Sequence, residues 1–520
     1  MSIFFKKGYE MKHIFKLFLL ISFVLNFALA KDVLVVGIEN ESSRLNPLYD
    51  EDHDPALSLL FSGLTKHDEN TKVTPDLAKS WEVSKDGLTY TFDLRDDAYW
   101  HDGVKFTAQD VKFTIESAKD KKLNAPAISN YEMVKDVEIL DDYKIKVTLD
   151  TPFPPFLDAL SFGMLPKHLL EGKDIATYQF NDNPIGTGPY KFVNWKKGES
   201  IEFVANDKFY KGTPKIKKVF LKVVPDANVR LMQLKSGELD AGLIDFSGVE
   251  MAKNSKNLNI LKFKSADYRA LMFNYNNEIL KDRDVRVALN YFIDKNDMVK
   301  TLLHTHGSAA NNPIENFIKS DKVYEFNPKK GDEILTKAGW KKNKKGIYEK
   351  DGKTLSFEIY SFNSDPLRVA MSKVISSELN KYGVDAKAFA KPKTAFKISK
   401  VDSFLIGWGS PFDPDFHTYR IFGGFADSDT NENGWNYSHY KDAKVDEALK
   451  KARSTGDLEE RKAYYKEFLD ALYENPPYIF IAYLDYNLAY NRNLTGIKTQ
   501  ILGHHGAGFL WNLEEWNFKN

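Results

Sequence analysis

Leu88-Thr89-Tyr90-Thr91-Phe92-Asp93-Leu94 alternates apolar and polar side chains, the period of a strand with one face in a core and one in water. The period then changes. Thr107 is placed as an N-cap, and Ala108-Gln109-Asp110-Val111 opens a helix through Phe113 and Ile115. Ile145-Lys146-Val147-Thr148-Leu149 returns to strict alternation. Toward the N-terminus, Lys31-Asp32-Val33-Leu34-Val35-Val36-Gly37-Ile38-Glu39 is a β-branched run of the kind a buried strand needs. Toward the C-terminus, Lys218 to Val224 predicts a strand broken by Pro225, and Asn228 to Ser236 a helix stopped at Gly237. Asp284 to Met298 and Leu367 to Lys381 have helical period, Tyr382-Gly383 stops the second, and Phe404 to Trp408 is the next strand. Strands and helices alternate without an internal repeat or a long structureless linker. The class is therefore α/β, with mixed sheets in interwoven lobes.

The chain has 520 residues, more than one hydrophobic core usually supports, so at least two lobes are expected. Basic and acidic side chains number 73 each, whereas a nucleic-acid binder carries a basic excess or stripe. The absence of cysteine excludes disulfides, zinc fingers, iron–sulfur clusters and thiol catalysis. Lys6, Lys7, Lys12 and Lys16 precede an apolar run, Leu17 to Ala30, that ends in the small-x-small pattern Ala28-Leu29-Ala30. About 14 residues do not cross a bilayer core of roughly 30 Å, so residues 1–30 read as a secretory signal rather than an anchor. Lys31 is then the first mature residue. Met11 opens the same signal in compact form. With no cysteine to carry a lipid, the expected location is the periplasm, free of the membrane.

A secreted hydrolase is the rival class. The sequence has no Gly-x-Ser-x-Gly elbow and no His-Glu-x-x-His helix. Its paired carboxylates, Asp96-Asp97 and Glu514-Glu515, are sequence neighbours whose side chains diverge in strands or helices. The expectation is a protein that is not an enzyme.

A series of motifs runs along the mature chain: Pro75-Asp76-Leu77-Ala78 with Ser80-Trp81-Glu82; Trp100-His101-Asp102-Gly103; Phe106 to Val111; Pro184-Ile185-Gly186-Thr187-Gly188-Pro189-Tyr190; Gly237-Glu238-Leu239-Asp240-Ala241; and Asp284 to Leu289 with Ile293-Asp294-Lys295. In this order they resemble the extracytoplasmic solute-binding proteins of peptide and nickel ABC importers. The resemblance implies a two-lobed periplasmic-binding-protein fold with a hinge between the lobes and an extra subdomain in the first. The boundaries it suggests are 31–270 for the first lobe, with the insertion at about 65–185, 271–490 for the second, and 491–520 for a return to the first. It also implies a monomer that hands a small ligand to an inner-membrane permease.

In the family, peptide-binding members hold the peptide ammonium with an aspartate between a Gly-Trp strand end and an Asp-Pro pair. Here Gly407-Trp408 and Asp413-Pro414 enclose Gly409-Ser410-Pro411-Phe412, with no carboxylate. An unpaired ammonium in a dry cleft costs several kcal/mol, so the loop fits the nickel-binding members better. Asp413 or Asp415 taking over that role keeps a dipeptide or oligopeptide receptor as the alternative.

Nickel(II) accepts imidazole nitrogen. His504-His505, in Leu502-Gly503-His504-His505-Gly506-Ala507-Gly508, is flanked by glycines that let a loop turn both rings toward one ion, although a solvated surface loop is the competing reading. His417 ranks next. His304-Thr305-His306 reads as an exposed pair and His101 as structural. The expected cargo is nickel(II), free or as a small chelate; two imidazoles do not fill a nickel coordination sphere, and a small chelator such as free histidine could supply the rest. Its carboxylates would want arginine, for which Arg269, Arg368 and Arg420 are candidates. Trp100, Trp408, Phe412 and Trp511, with Tyr275 near the lobe junction, are candidates for the walls. No catalytic cofactor is expected.

Overall fold

The computed structural model describes residues 31–50 and 54–519. The signal segment read at residues 1–30 lies outside the described residues. Each lobe is built on one mixed sheet. The first sheet has seven strands in the order Leu258–Phe263, Tyr486–Asn491, Ala241–Ile244, Val33–Ile38, Lys218–Val223, Ser200–Ala205, Tyr190–Lys196. Val33–Ile38 lies at its centre, parallel to both neighbours, which is why its sequence is apolar without alternation. The second sheet has six strands, Gly307–Ala309, Tyr478–Leu484, Tyr268–Phe273, Ser403–Trp408, Ser356–Phe362, Asp385–Lys391.

The insertion carries its own antiparallel sheet, in which the alternating runs pair face to face: Tyr90 opposite Val147, and Phe92 opposite Ile145. Their inward side chains are buried and form one core with the first sheet. The helix Ala108–Lys119 covers it. Thr107 and Asp110 close a capping box at its start, as the Thr-x-x-Asp spacing permits.

The expected helix Asp284 to Met298 is two helices, Arg283–Tyr291 and Lys295–Met298. Asp294 interrupts the run because its side chain accepts the Asp297 N–H at 2.9 Å and caps the second piece. The helix Pro366–Lys381 begins on an Asp365 cap.

The chain crosses between the sheets at residues 264–267 and again at Asp485. The two crossings are bonded to each other: Leu484 N–H donates to the Asp267 carbonyl at 2.9 Å. The C-terminal segment then packs along the first crossing, with Ala266 N–H donating to Leu502 O and Leu502 N–H to Lys264 O, both at 2.9 Å. This delivers the Leu502–Gly508 loop to the junction. Among the described residues no helix is long and apolar enough to cross a membrane.

Candidate functional site

The loop at 503–508 is held tightly by its own backbone. Gly503 N–H bonds Ala507 O at 2.9 Å, and Ala507 N–H bonds His504 O at 3.1 Å. His505 and Gly506 both take left-handed conformations, φ 55° and 75°, so the chain reverses where an extended strand would send neighbouring side chains apart. The imidazoles of His504 and His505 therefore stand together, ring centroids 4.0 Å apart. A methyl group at Gly506 would meet Leu243 Cδ1 at 2.6 Å, so the close approach as well as the φ asks for glycine.

Both histidines line a cavity of about 800 Å³. Its far wall includes Glu39, at the C-terminal end of the central parallel strand, with Arg44, Tyr49, Asp54 and Arg230. A crevice beyond the carboxyl ends of parallel strands is where open α/β sheets bind ligands. Burial pushes the Glu39 carboxyl above its usual range, with the Arg230 guanidinium, 3.8 Å away, opposing it. His505 has surface open to the cavity, yet protein surrounds it on the other sides. Desolvation and the neighbouring His504 push its imidazole down, to about 2, which favours the neutral form that can ligate a metal.

Beside the loop lie two buried arginines. Arg269 is 3% exposed and Arg368 5%. A methyl group at Gly407 would stand 2.4 Å from Arg269 Nη1 and 3.0 Å from Arg368 Nη2, so the missing side chain is what lets the guanidiniums converge. Desolvation first, then Arg269, push the Arg368 guanidinium down to about 10. Arg269 Nε has no acceptor. Arg368 Nε is 3.0 Å from Asp365 Oδ2 but is not aligned for a hydrogen bond. The buried Trp408 Nε1–H, one residue past Gly407, also lacks an acceptor. Arg269 Nη1 is paired with the buried Asp267 carboxylate, which leaves Arg368 and the unpaired N–H groups as the donors that a further carboxylate would answer.

The structure places the other sequence candidates elsewhere. Trp100 is 1% exposed, in the core under the inserted sheet, with Nε1–H donating to Asp110 at 3.3 Å, and is not among the lining residues of the histidine cavity. Tyr275 is packed beneath Arg286 in the second lobe, 4.0 Å from guanidinium to ring. Trp511 donates to Lys498 O at 3.2 Å on the outer C-terminal segment. Arg420 is spent on Trp435, 3.6 Å over its ring, and on Asn433 O at 2.8 Å. Phe412 stacks on His67 at 3.8 Å, bridging the pocket loop to the insertion. His417 sits in the first turn of Asp415–Phe422 between two indoles, 5.8 Å from Trp408 and 5.7 Å from Trp435, and is not among the cavity's lining residues. Trp408 itself stacks on Trp435 at 5.0 Å and backs His504 at 6.1 Å.

His304 packs on Phe246 and His306 bonds Asn487 at 3.1 Å, and neither is among the cavity's lining residues. His101 is held between Gly186 N–H and Gly188 O, each at 3.1 Å, a structural role as its motif suggested. Neither Asp413 nor Asp415 is available to an ammonium. Asp413 makes a two-pronged pair with Arg461 at 2.7 and 2.8 Å, and Asp415 accepts from Arg453 at 3.1 Å, all four side chains buried.

Sequence reasoning missed two groups. Asp267, fully buried, accepts from His504 Nδ1–H at 2.8 Å across 237 positions of chain, a pairing with no local signature. Asp427, Asp429 and His439 also converge within 4.8 Å. Lys400 and Lys441 already neutralise those carboxylates, and both ring nitrogens of His439 are bonded, to Asp427 at 2.9 Å and Ser399 O at 2.8 Å. That cluster is an ion-pair network.

The pattern of the bacterial extracellular solute-binding proteins, family 5 (middle region), matches residues 72–429. The crystal structure of NikZ from Campylobacter jejuni in complex with Ni(L-His) superposes with a TM-score of 0.90 at 56% identity, covering 94% of this chain and 100% of that one. The oligopeptide-binding protein AppA of Bacillus subtilis is 33% identical over 93% of this chain and 91% of its own. The nickel-binding periplasmic protein of Escherichia coli is 27% identical over 91% and 92%.

Proposed function

The chain belongs to the bacterial extracellular solute-binding proteins of family 5, and on that premise we propose that it captures nickel(II) as a histidine chelate and delivers it to the permease of an ABC importer. The observation that carries the reading is the pairing of His504 and His505 on the cavity wall, with Arg269 and Arg368 converging beside the loop although neither is among the cavity's lining residues. The imidazoles would supply metal ligands and the arginines would meet chelator carboxylates. Likeness to the NikZ complex with Ni(L-His) supports it. Volume argues for a chelate over a bare ion, because about 800 Å³ lies high in the roughly 300–1,000 Å³ range of small-molecule sites.

In this reading residues 1–30 are removed on export to the periplasm, and the mature protein is a monomer without a lipid anchor. The lobe boundaries fall at the two crossings, residues 31–267 and 485–520 for the first lobe, with the insertion at about 65–185, and 268–484 for the second, in place of the expected 270 and 490, because Tyr268–Phe273 pairs within the second sheet and Tyr486–Asn491 within the first. Cargo leaves unchanged, so no catalysis is expected.

An oligopeptide receptor is the second reading, favoured by the cavity volume and by AppA. The ion pairs of Asp413 and Asp415 weigh against it, since breaking a buried pair costs about 3–5 kcal/mol. Titration calorimetry at neutral pH separates the two. Nickel with L-histidine should give saturable heat, nickel alone a weaker signal, and short peptides none. Tight peptide binding without metal would overturn the proposal.

A further inference from the structure

Asp267 stands where the first crossing enters the second lobe. Its carboxylate accepts four donors from three parts of the chain: His504 Nδ1–H at 2.8 Å, His505 backbone N–H at 3.2 Å, Arg269 Nη1–H and the Tyr486 hydroxyl. Two carboxylate oxygens offer about four lone-pair directions, so the group is saturated and has none left for a metal. An ionised carboxylate only accepts, so the proton of a neutral His504 imidazole must sit on Nδ1. Nε2 is then the nitrogen with a free lone pair, on a ring that lines the cavity.

The backbone of the same residue accepts Leu484 N–H from the second crossing, and His504 N–H bonds Gly409 O at 3.0 Å in the pocket loop. The ring is therefore aimed from the lobe junction. We propose that Asp267 is a positioning residue for cargo capture: it holds His504 in the tautomer that presents Nε2 to the metal and fixes the loop so that His505 faces the same ion. Ligating histidines typically depend on such a carboxylate behind them, whose loss costs about 10–100-fold in metal affinity. The inference rests on the nickel reading and extends it to a residue that never touches the cargo.

The first test needs no metal. In full-length mature protein labelled with ¹⁵N at the histidine rings, long-range ¹H–¹⁵N correlation should show His504 protonated on Nδ1 and bare at Nε2. A proton on Nε2 overturns the proposal whatever the protein binds. Asp267→Ala should then show mixed tautomers at His504 and about 10–100-fold weaker binding of nickel with L-histidine. Asp267→Asn, which also leaves the Arg269 charge without its carboxylate, is measured beside it, so that the charge is lost in both variants and only the acceptor opposite His504 differs. Asp267→Asn keeps the shape and one acceptor oxygen, and should fold, retain the Nδ1–H tautomer and bind more tightly than Asp267→Ala. Wild-type affinity in a folded Asp267→Ala refutes the positioning role. A wild-type protein that ignores nickel and histidine refutes the nickel reading instead, and leaves the tautomer result standing.

Discussion

Replacing Arg368 by methionine should move stability and binding in opposite directions. In the empty protein the guanidinium is 5% exposed beside a second buried cation, and its pKa is pushed down to about 10. Against a reference near 12.5, that shift means the folded state disfavours the charged form by about 3 kcal/mol at 1.36 kcal/mol per unit. Methionine removes the charge and keeps most of the apolar stem. The pull of Asp365, 3.0 Å away, is already contained in that shift, and relaxation around a buried charge leaves about half of it to be recovered. A net stabilisation of about 1–2 kcal/mol remains, a rise of roughly 1–3 °C in the melting temperature of a chain this long.

If Arg368 answers a chelator carboxylate, the same change strips a charged partner from a desolvated contact. Affinity for nickel with L-histidine then falls by about 2–5 kcal/mol, thirtyfold or more. Differential scanning fluorimetry of the empty variant and titration with nickel and L-histidine read the two effects separately. A variant that melts lower and binds as tightly as wild type would show Arg368 to be a structural ion-pair partner, and the anion-binding reasoning would fail.

Gly407→Ala places a methyl group 2.4 Å from Arg269 Nη1 and 3.0 Å from Arg368 Nη2; thermal melts should show a loss of about 1–3 kcal/mol, and calorimetry a weakened chelate, because the guanidiniums must part. His505→Ala should resist acid better than wild type. With the folded ring's pKa pushed down to about 2 and the unfolded ring near 6.5, the wild-type unfolded state takes up more protons between those values, and stability drops as pH falls below about 6.5. Circular dichroism should put the variant's acid midpoint at lower pH, and an unchanged midpoint would show that the ring is not held neutral. Glu378, pushed up to about 7 by burial, holds its proton in the folded state where the unfolded chain releases it near 4.3, so stability falls as pH rises through that window. Glu378→Gln should therefore gain about 1–2 kcal/mol over wild type in urea melts at pH 8 and almost nothing at pH 4.

Much of the scaffold was legible in the residue pattern because local rules govern it. The alternation at Thr89–Leu94 and Lys144–Leu149, the capping box at Thr107 and the stop at Gly237 are set by neighbours within a few positions. The glycines around His504-His505 likewise announced a loop able to turn two rings together, and the left-handed backbone at His505 and Gly506 does so. The split at Asp294 was missed because one polar side chain competes with helix continuation without disturbing the apolar period.

The ring candidates show the limit most clearly. Trp100 and Trp408 look alike in sequence as wall aromatics, yet one fills the core of the insertion and the other backs the histidine loop. Which aromatic faces a ligand depends on how the two sheets and the insertion meet. The convergence of Arg269 with Arg368, and of Asp267 with His504, depends on it as well. From sequence alone this chain could be read as a two-lobed α/β protein with a histidine-bearing loop, since periodicity, caps and turn residues act over short range. Only the tertiary structure decided which charges and rings share the junction, because burial and electrostatic pairing are set by segments hundreds of residues apart.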